Sequence, residues 1–211
     1  EKNVDQQTIE KRIFEKLKIL NCVNNTKIKN VNHLKTSLTT LDCSGTCAIN
    51  QYGISKLQFI EYLDISYNSK INNLDHMATT LKILYCGAEC CMIHQKDILK
   101  LRYIEKLDCQ NNRKINNVNH LKHTLKTLIC CGNCEIDQYG ISELESLKEL
   151  HCGHNKKINN VNHLKHTLEI LGCDGDCGIN QRGILELECL KELECGYNCV
   201  SVILRIVRYL L

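Results

Sequence analysis

Large aliphatic residues recur along this chain in a fixed grammar: one at relative position 1, one at position 4, usually a cysteine at position 6, then polar residues and a further isoleucine. A first kind of unit begins at Leu17, Ile60, Ile104, Leu147 and Leu190 and reads LxxLxCxxNxxI, as in Leu147, Leu150, Cys152, Asn155 and Ile158. A second kind begins at Leu38, Leu81, Leu125 and Leu168 and reads LxxLxCxxxCxI, as in Leu125, Leu128, Cys130, Cys134 and Ile136. They alternate in lengths of 21 and 22 residues, so the whole pattern returns every 43; INNVNHLK stands at 115–122 and again at 158–165. Self-similarity at such a period means that one supersecondary unit is stacked on copies of itself, which predicts a solenoid. One unit of the second kind carries an extra residue near Cys90 and Cys91, which marks a loop able to absorb it.

Within each unit the spacing predicts a short strand. Successive strand side chains point to opposite faces, so positions 4 and 6 enter the core while positions 3, 5 and 7 face outward. The asparagines at position 9 (Asn25, Asn68, Asn112, Asn155 and Asn198) are placed to satisfy backbone groups where the chain leaves the strand. In the first kind of unit the return segment repeats its apolar residues every three (Ile28, Val31, Leu34; Ile115, Val118, Leu121), which suits a 3₁₀ turn. In the second kind Gly53, Gly140 and Gly183 precede an isoleucine, with Asp97 in the same place in the longer unit. That choice of residues predicts a tight, left-handed turn.

These motifs resemble the leucine-rich repeat, whose signature is LxxLxLxxNxL. The resemblance covers Leu17 to Asn198, with cysteine in place of leucine at position 6 and, in the second kind of unit, a cysteine one place after the usual asparagine. It implies an α/β leucine-rich repeat solenoid: a parallel β-ribbon of about nine short strands, short 3₁₀ or turn return segments, and terminal caps. The division expected is an N-terminal helical cap over 1–16, repeats over 17–199, and a helical cap or association segment over 200–211. Thr8 is the expected N-cap of the first helix, whose Ile9, Ile13 and Phe14 lead into Leu17. In the tail, Val200, Ile203, Leu204, Val207, Leu210 and Leu211 fall at helical spacing. The tail is too short and too basic, with Arg205 and Arg208, for a membrane span. The chain begins without methionine or an apolar signal segment, as a processed or trimmed start would.

Composition adds little about partners and something about source. A formal net charge of +3 is too small to argue for nucleic acid. Proline and tryptophan are absent, whereas asparagine, isoleucine and lysine, all encoded by AT-rich codons, are abundant. With the HLKTSLTTLDCSG style of repeat, this resembles the leucine-rich repeat proteins of giant, mimivirus-like DNA viruses of amoebae.

The 16 cysteines follow the repeat. Eight hold position 6 (Cys22, Cys43, Cys86, Cys109, Cys130, Cys152, Cys173 and Cys195), and Cys47, Cys91, Cys134 and Cys177 stand two places before an isoleucine. Such regularity favours cysteine as a small core residue with a free thiol, and hence an intracellular, reducing compartment, the host cytoplasm or a virion for a viral protein. Zinc is the rival reading, disfavoured because the sulfurs spread along a column rather than converge as in CxxC knuckles. His33, His76, His120 and His163 share one slot too far apart for a common metal and read as surface or turn residues. Lys27, Lys70, Arg113, Lys114, Lys156 and Lys157 make a basic stripe that reads as a solvated edge. There is no GxSxG elbow, phosphate loop or HExxH. Neither catalytic residues nor a cofactor, metal or small-molecule substrate is expected.

What remains is the outward face of the ribbon, where copies differ. Its position-5 row runs Asn21, Asp42, Asp64, Tyr85, Asp108, Ile129, His151, Gly172 and Glu194. The position-7 row runs Val23, Ser44, Ser66, Gly87, Gln110, Cys131, Gly153, Asp174 and Gly196. The expected partner-binding residues are Asp42, Asp64, Tyr67, Tyr85, Asp108, His151, Asp174, Glu194 and Tyr197. The function expected is a noncatalytic scaffold for protein–protein interaction, between virus and host on the viral reading. The alternative is a structural protein that self-associates through its tail or an open solenoid edge, which leaves a homo-oligomer open.

Overall fold

The structure, a computed structural model, describes residues 4–196. Tyr197, Asn198 and the segment 200–211 expected to form a cap lie outside the described residues. The chain divides into two compact units, the first ending at Asp108 and the second beginning at Cys109. The first contributes β1 (Ile19–Asn21), β2 (Thr40–Asp42), β3 (Tyr62–Asp64), β4 (Ile83–Tyr85) and β5 (Lys106–Asp108). The second contributes β6 (Thr127–Ile129), β7 (Glu149–His151), β8 (Ile170–Gly172) and β9 (Glu192–Glu194). Within each unit every strand is parallel to the next in chain order, with position 4 always opposite position 4, as in Leu41 against Leu63 and Leu150 against Leu171. This is the leucine-rich repeat solenoid that the sequence pattern implies.

Alternation decides what is buried. Leu41, Leu63, Leu84 and Leu107 in the first unit, and Leu128, Leu150 and Leu171 in the second, are fully enclosed, as are Cys43, Ile65 and Cys86 and then Cys109, Cys130 and Cys152 at position 6. Each strand is only three residues long because position 8 turns the chain away. Asn24, Tyr67, Asn111 and His154, all at position 8, have φ of 57°, 62°, 57° and 57°, and Gly45, Gly132 and Gly175 follow suit in the second kind of unit. In the longer unit Ala88 takes this place at φ 97°, and the extra residue is taken up in a turn closed by the Cys91 N–H on the Ala88 carbonyl.

The position-9 asparagines close the next corner. Asn68 is buried; its amide donates to the Cys43 carbonyl at 2.9 Å and the Ile49 carbonyl at 3.1 Å, and its oxygen accepts the Lys70 N–H at 2.9 Å. Asn155 does the same for Cys130, Ile136 and Lys157. Each side chain thus joins the corner of its own repeat to backbone of the preceding one.

On the opposite side the return segments of the first kind of unit are held by polar side chains that leucine spacing alone does not reveal. Asn32 donates to the Tyr52 carbonyl at 2.7 Å and accepts the Lys56 N–H at 2.8 Å; Asn119 makes the equivalent pair with Tyr139 and Glu143. Gln51 accepts from the N–H groups of Asn72 and Asn73 and donates to the Asn73 carbonyl, as Gln138 does with Asn159 and Asn160. These glutamines open one-turn helices, α2 (Gln51–Ile54) and α4 (Gln138–Ile141), which are N-capped by Asn50 and Asp137; α3 (Gln95–Ile98) is their counterpart in the longer unit.

Three expectations need correction here. Gly53, Gly140 and Gly183 are not left-handed; they lie in α2, in α4 and in the 3₁₀ turn Gln181–Gly183. Their reason is close approach, since a Cβ on them would meet the carbonyl oxygens of Lys29, Asn116 and Asn159 at 2.1 to 2.2 Å. Asp97, likewise helical, accepts the His94 N–H instead. At the front, α1 (Gln6–Ile9) is capped by Asp5, whose carboxylate accepts the Thr8 N–H at 2.8 Å, so Thr8 is inside the helix; Ile13 is 81% exposed and only Ile9 is enclosed.

The repeated histidines have a structural task rather than an incidental one. The Nε2 atoms of His33, His76 and His163 lie 3.0 to 3.1 Å from the carbonyls of Ile9, Ile54 and Ile141, the last residues of α1, α2 and α4. A ring N–H donated there satisfies a carbonyl that a one-turn helix leaves open.

Replacing Asn68 with alanine strands two carbonyls and an N–H in a buried corner, and the expected loss is about 1 to 3 kcal/mol of unfolding free energy by denaturant titration. A second expectation concerns acid. Burial pushes the His76 and His163 imidazoles below their ordinary 6.5, against the opposing carbonyl hydrogen bonds. The unfolded chain therefore takes up these protons first, and the stability they confer, complete above pH 6.5, is lost as pH falls through the lowered folded values. The melting temperature should fall more steeply from about pH 7 to pH 5 in the native chain than in His76→Gln/His163→Gln, which keeps a donor without titrating.

Candidate functional site: the outward ribbon face

In the first unit the strand register sets Asn21, Asp42, Asp64, Tyr85 and Asp108 side by side in one row. A second outward row, two residues earlier, holds Ile19, Thr40, Tyr62, Ile83 and Lys106. The centre of this face is an aromatic and acidic group. The rings of Tyr62 and Tyr85 are 5.6 Å apart and tilted by 43°, and the Lys106 ammonium stands 5.6 Å from the Tyr85 ring centre, within cation–π range. Beside them, Asp42 accepts from the Asn21 amide at 3.2 Å and the Ser44 hydroxyl at 2.7 Å, and Asp64 accepts the Ser66 N–H at 2.9 Å. The position-7 serines therefore orient the position-5 carboxylates.

Burial, with Asp42 adding like charge, raises the Asp64 carboxyl above its ordinary value, although the Ser66 hydrogen bonds pull the other way. Burial, then the charges of Asp64 and neighbours, pushes the Tyr62 phenol up to about 12. Asp108 is only 7% exposed, so it borders the group more than it presents itself.

The second unit carries a different group. His151 Nε2 lies 2.8 Å from Glu149 and its Nδ1 3.8 Å from Glu194, and Glu149 also accepts the Thr127 hydroxyl at 3.0 Å. The His151 ring packs over Gly172, where a Cβ would sit 2.5 Å from Nδ1, and Asp174 covers Gly153 in the same way. Small residues in this part of the face are thus explained by neighbours that fold across them.

Of the residues singled out by sequence, the structure brings Asp42, Asp64 and Tyr85 together with Asp108 at their border, and separately joins His151 to Glu194. Tyr67 stands apart, 62% exposed at the left-handed turn after β3, and Asp174 lies beyond the end of β8. Tyr62, Lys106, Thr127 and Glu149 were missed. The signal for them was position 3, which alternation also turns outward.

Among the described residues no three or more His, Cys, Asp or Glu side chains converge as metal ligands. Among them, too, no helix is long and apolar enough to cross a membrane.

A solved internalin of Listeria monocytogenes, inlF, is similar to this chain with a TM-score of 0.62 and 16% identity, over 94% of this chain and 65% of the internalin. The chain has a leucine-rich repeat fold. It spans somewhat less than two thirds of that internalin's length, and at this identity the likeness speaks for fold alone. No protein-family model and no curated protein matches the sequence.

Because burial and Asp42 oppose the Asp64 charge, its folded pKa lies above the unfolded one, and its contribution to stability is lost as pH rises through the folded value. Asp64→Asn keeps the oxygen that Ser66 needs and removes the charge. At pH 7 its melting temperature should equal or exceed that of the native chain, and a marked fall in calorimetry would show that the carboxylate is structural.

Proposed function

We propose that the chain is a noncatalytic scaffold that binds a protein partner across the outward ribbon face of its first unit, and that the partner presents a basic segment there. The observation that carries this is the group formed by Asp42, Asp64, Tyr62 and Tyr85. It combines aromatic area that costs little conformational entropy on binding with two carboxylates fixed by serine and asparagine donors. Lysine or arginine meets both kinds of neighbour, and Lys106 over Tyr85 is an intramolecular example of half the contact. The Asp64 carboxylate, whose charge is opposed by burial and by Asp42, supports the reading, since binding residues commonly cost stability in the free protein.

A finer reading makes this a viral scaffold meeting a host protein. It is supported by the asparagine-, isoleucine- and lysine-rich composition, by the absence of proline and tryptophan, and by the repeat style. On that reading the thiols belong to an intracellular, reducing setting.

The test is selection of peptides from a random displayed library on the full chain. Enriched peptides should carry arginine or lysine beside apolar residues, and Tyr62→Ala/Tyr85→Ala should weaken them about tenfold or more. Tyr52→Ala, on the far side in α2, should leave them unchanged. Enrichment of acidic peptides, or binding indifferent to the tyrosine pair, would sink the proposal.

A further inference from the structure

The cysteines do not only fill the core; some of them meet. Cys22 and Cys47, Cys109 and Cys134, and Cys152 and Cys177 place their sulfurs 3.7, 3.7 and 3.8 Å apart, each pair 25 residues apart in the chain. The first of each pair is the position-6 cysteine of a first-kind unit, and the second stands two places before the isoleucine of the following unit. In the remaining complete repeat Ile65 occupies position 6. Position-6 cysteines of neighbouring strands, by contrast, point the same way and are poorly set for a bond.

We propose that these three thiol pairs are oxidation sites, each closing to a disulfide that ties consecutive repeats when the folded protein meets hydrogen peroxide. This rests on the sulfur contacts and is independent of the ribbon face. Two thiols alone do not make a zinc site, and among the described residues no group of three or more His, Cys, Asp or Glu side chains is arranged to hold a metal ion.

The surroundings of each pair favour one sulfur as the nucleophile. The Cys177 sulfur accepts the Ile179 N–H at 3.4 Å, and Ile49 and Ile136 make the corresponding backbone bonds to Cys47 and Cys134. Through its contact with the Cys22 thiol, Cys47 is lowered to about 7, and Cys134 is lowered by its contact with Cys109. Cys177, facing Cys152 and Cys173, is lowered by both contacts, while Cys22 and Cys152 are raised by their contacts with Cys47 and Cys177 and by burial. Each pair therefore sets one sulfur of raised acidity against a second thiol.

The chemistry balances with one equivalent of peroxide per pair. The thiolate attacks a peroxide oxygen, the O–O bond breaks, a sulfenic acid forms, and the departing hydroxide takes up a proton as water. The partner thiol then loses its proton and attacks the sulfenic sulfur; the S–O bond breaks, water leaves and the S–S bond forms. Two thiols are oxidised and one hydrogen peroxide is reduced to two waters. The sulfurs must close from van der Waals contact to about 2.05 Å, a side-chain movement within a repeat already in place. Cys177 is partly exposed, whereas Cys47 and Cys134 are enclosed, so the Cys152–Cys177 pair reacts first.

The experiment treats the reduced, folded full chain with hydrogen peroxide, blocks remaining thiols under denaturing conditions, and maps the peptides without reduction. The expected result is linkage of Cys22 to Cys47, Cys109 to Cys134 and Cys152 to Cys177, a mass lower by about 2 Da per bond, and a higher melting temperature that reductant reverses. Cys177→Ala should lose one link and keep the other two. The proposal fails if these six sulfurs remain alkylatable while the exposed Cys90 oxidises, if the sulfurs pair in another order, or if only Cys152 and Cys177 join.

Discussion

Everything in this fold depends on closing the corner where a three-residue strand ends. A strand that short leaves its repeat with few ladder hydrogen bonds, and the chain then turns inward with carbonyls and N–H groups that water does not reach. An unmet backbone group in such a place costs on the order of 1 to 3 kcal/mol. The buried side chains of Asn68 and Asn155 each meet three of them at once and do so across two repeats. Leucine and cysteine packing supplies the apolar burial, but at the corners of the first kind of unit it is the asparagine that holds one repeat's backbone against the preceding one.

The same logic recurs wherever the chain changes direction. Position 8 is left-handed in both kinds of unit, Asn32 and Asn119 join the return segment to the next repeat, Gln51 and Gln138 clamp an Asn-Asn backbone, and histidines finish the one-turn helices. A solenoid of this kind is a stack of polar seams around a narrow apolar column. That suits a sequence rich in asparagine and free of proline, since many return-segment N–H groups have a task.

How much of this is legible in the sequence follows from what periodicity encodes. Leu41 and Leu63, Cys43 and Ile65 announce their burial because strand alternation depends only on spacing, and Asn68 announces its corner because it recurs. Gly53 and Gly140 misled because glycine serves both left-handed turns and close backbone approach, and spacing does not separate the two. Thr8 misled because Asp5 competes for the cap. The site was legible in part: Asp42, Asp64 and Tyr85 stand in a visible row, whereas Tyr62 and Lys106 required the position-3 row and the register of β3 against β4 and β5. The contact of Cys22 with Cys47 depends on the path of the turn between them, which no local pattern specifies.

Function, on this account, belongs where the copies disagree, and the copies agree where seams must close. The most direct measurement of that division is residue-resolved hydrogen exchange. Lys70 and Lys157 are exposed residues whose amide N–H groups end on buried asparagines. Their amides are predicted to exchange as slowly as those of the strand leucines Leu63 and Leu150. Exchange at the rate of an open surface turn would contradict the claim that the asparagine corners hold the repeats together.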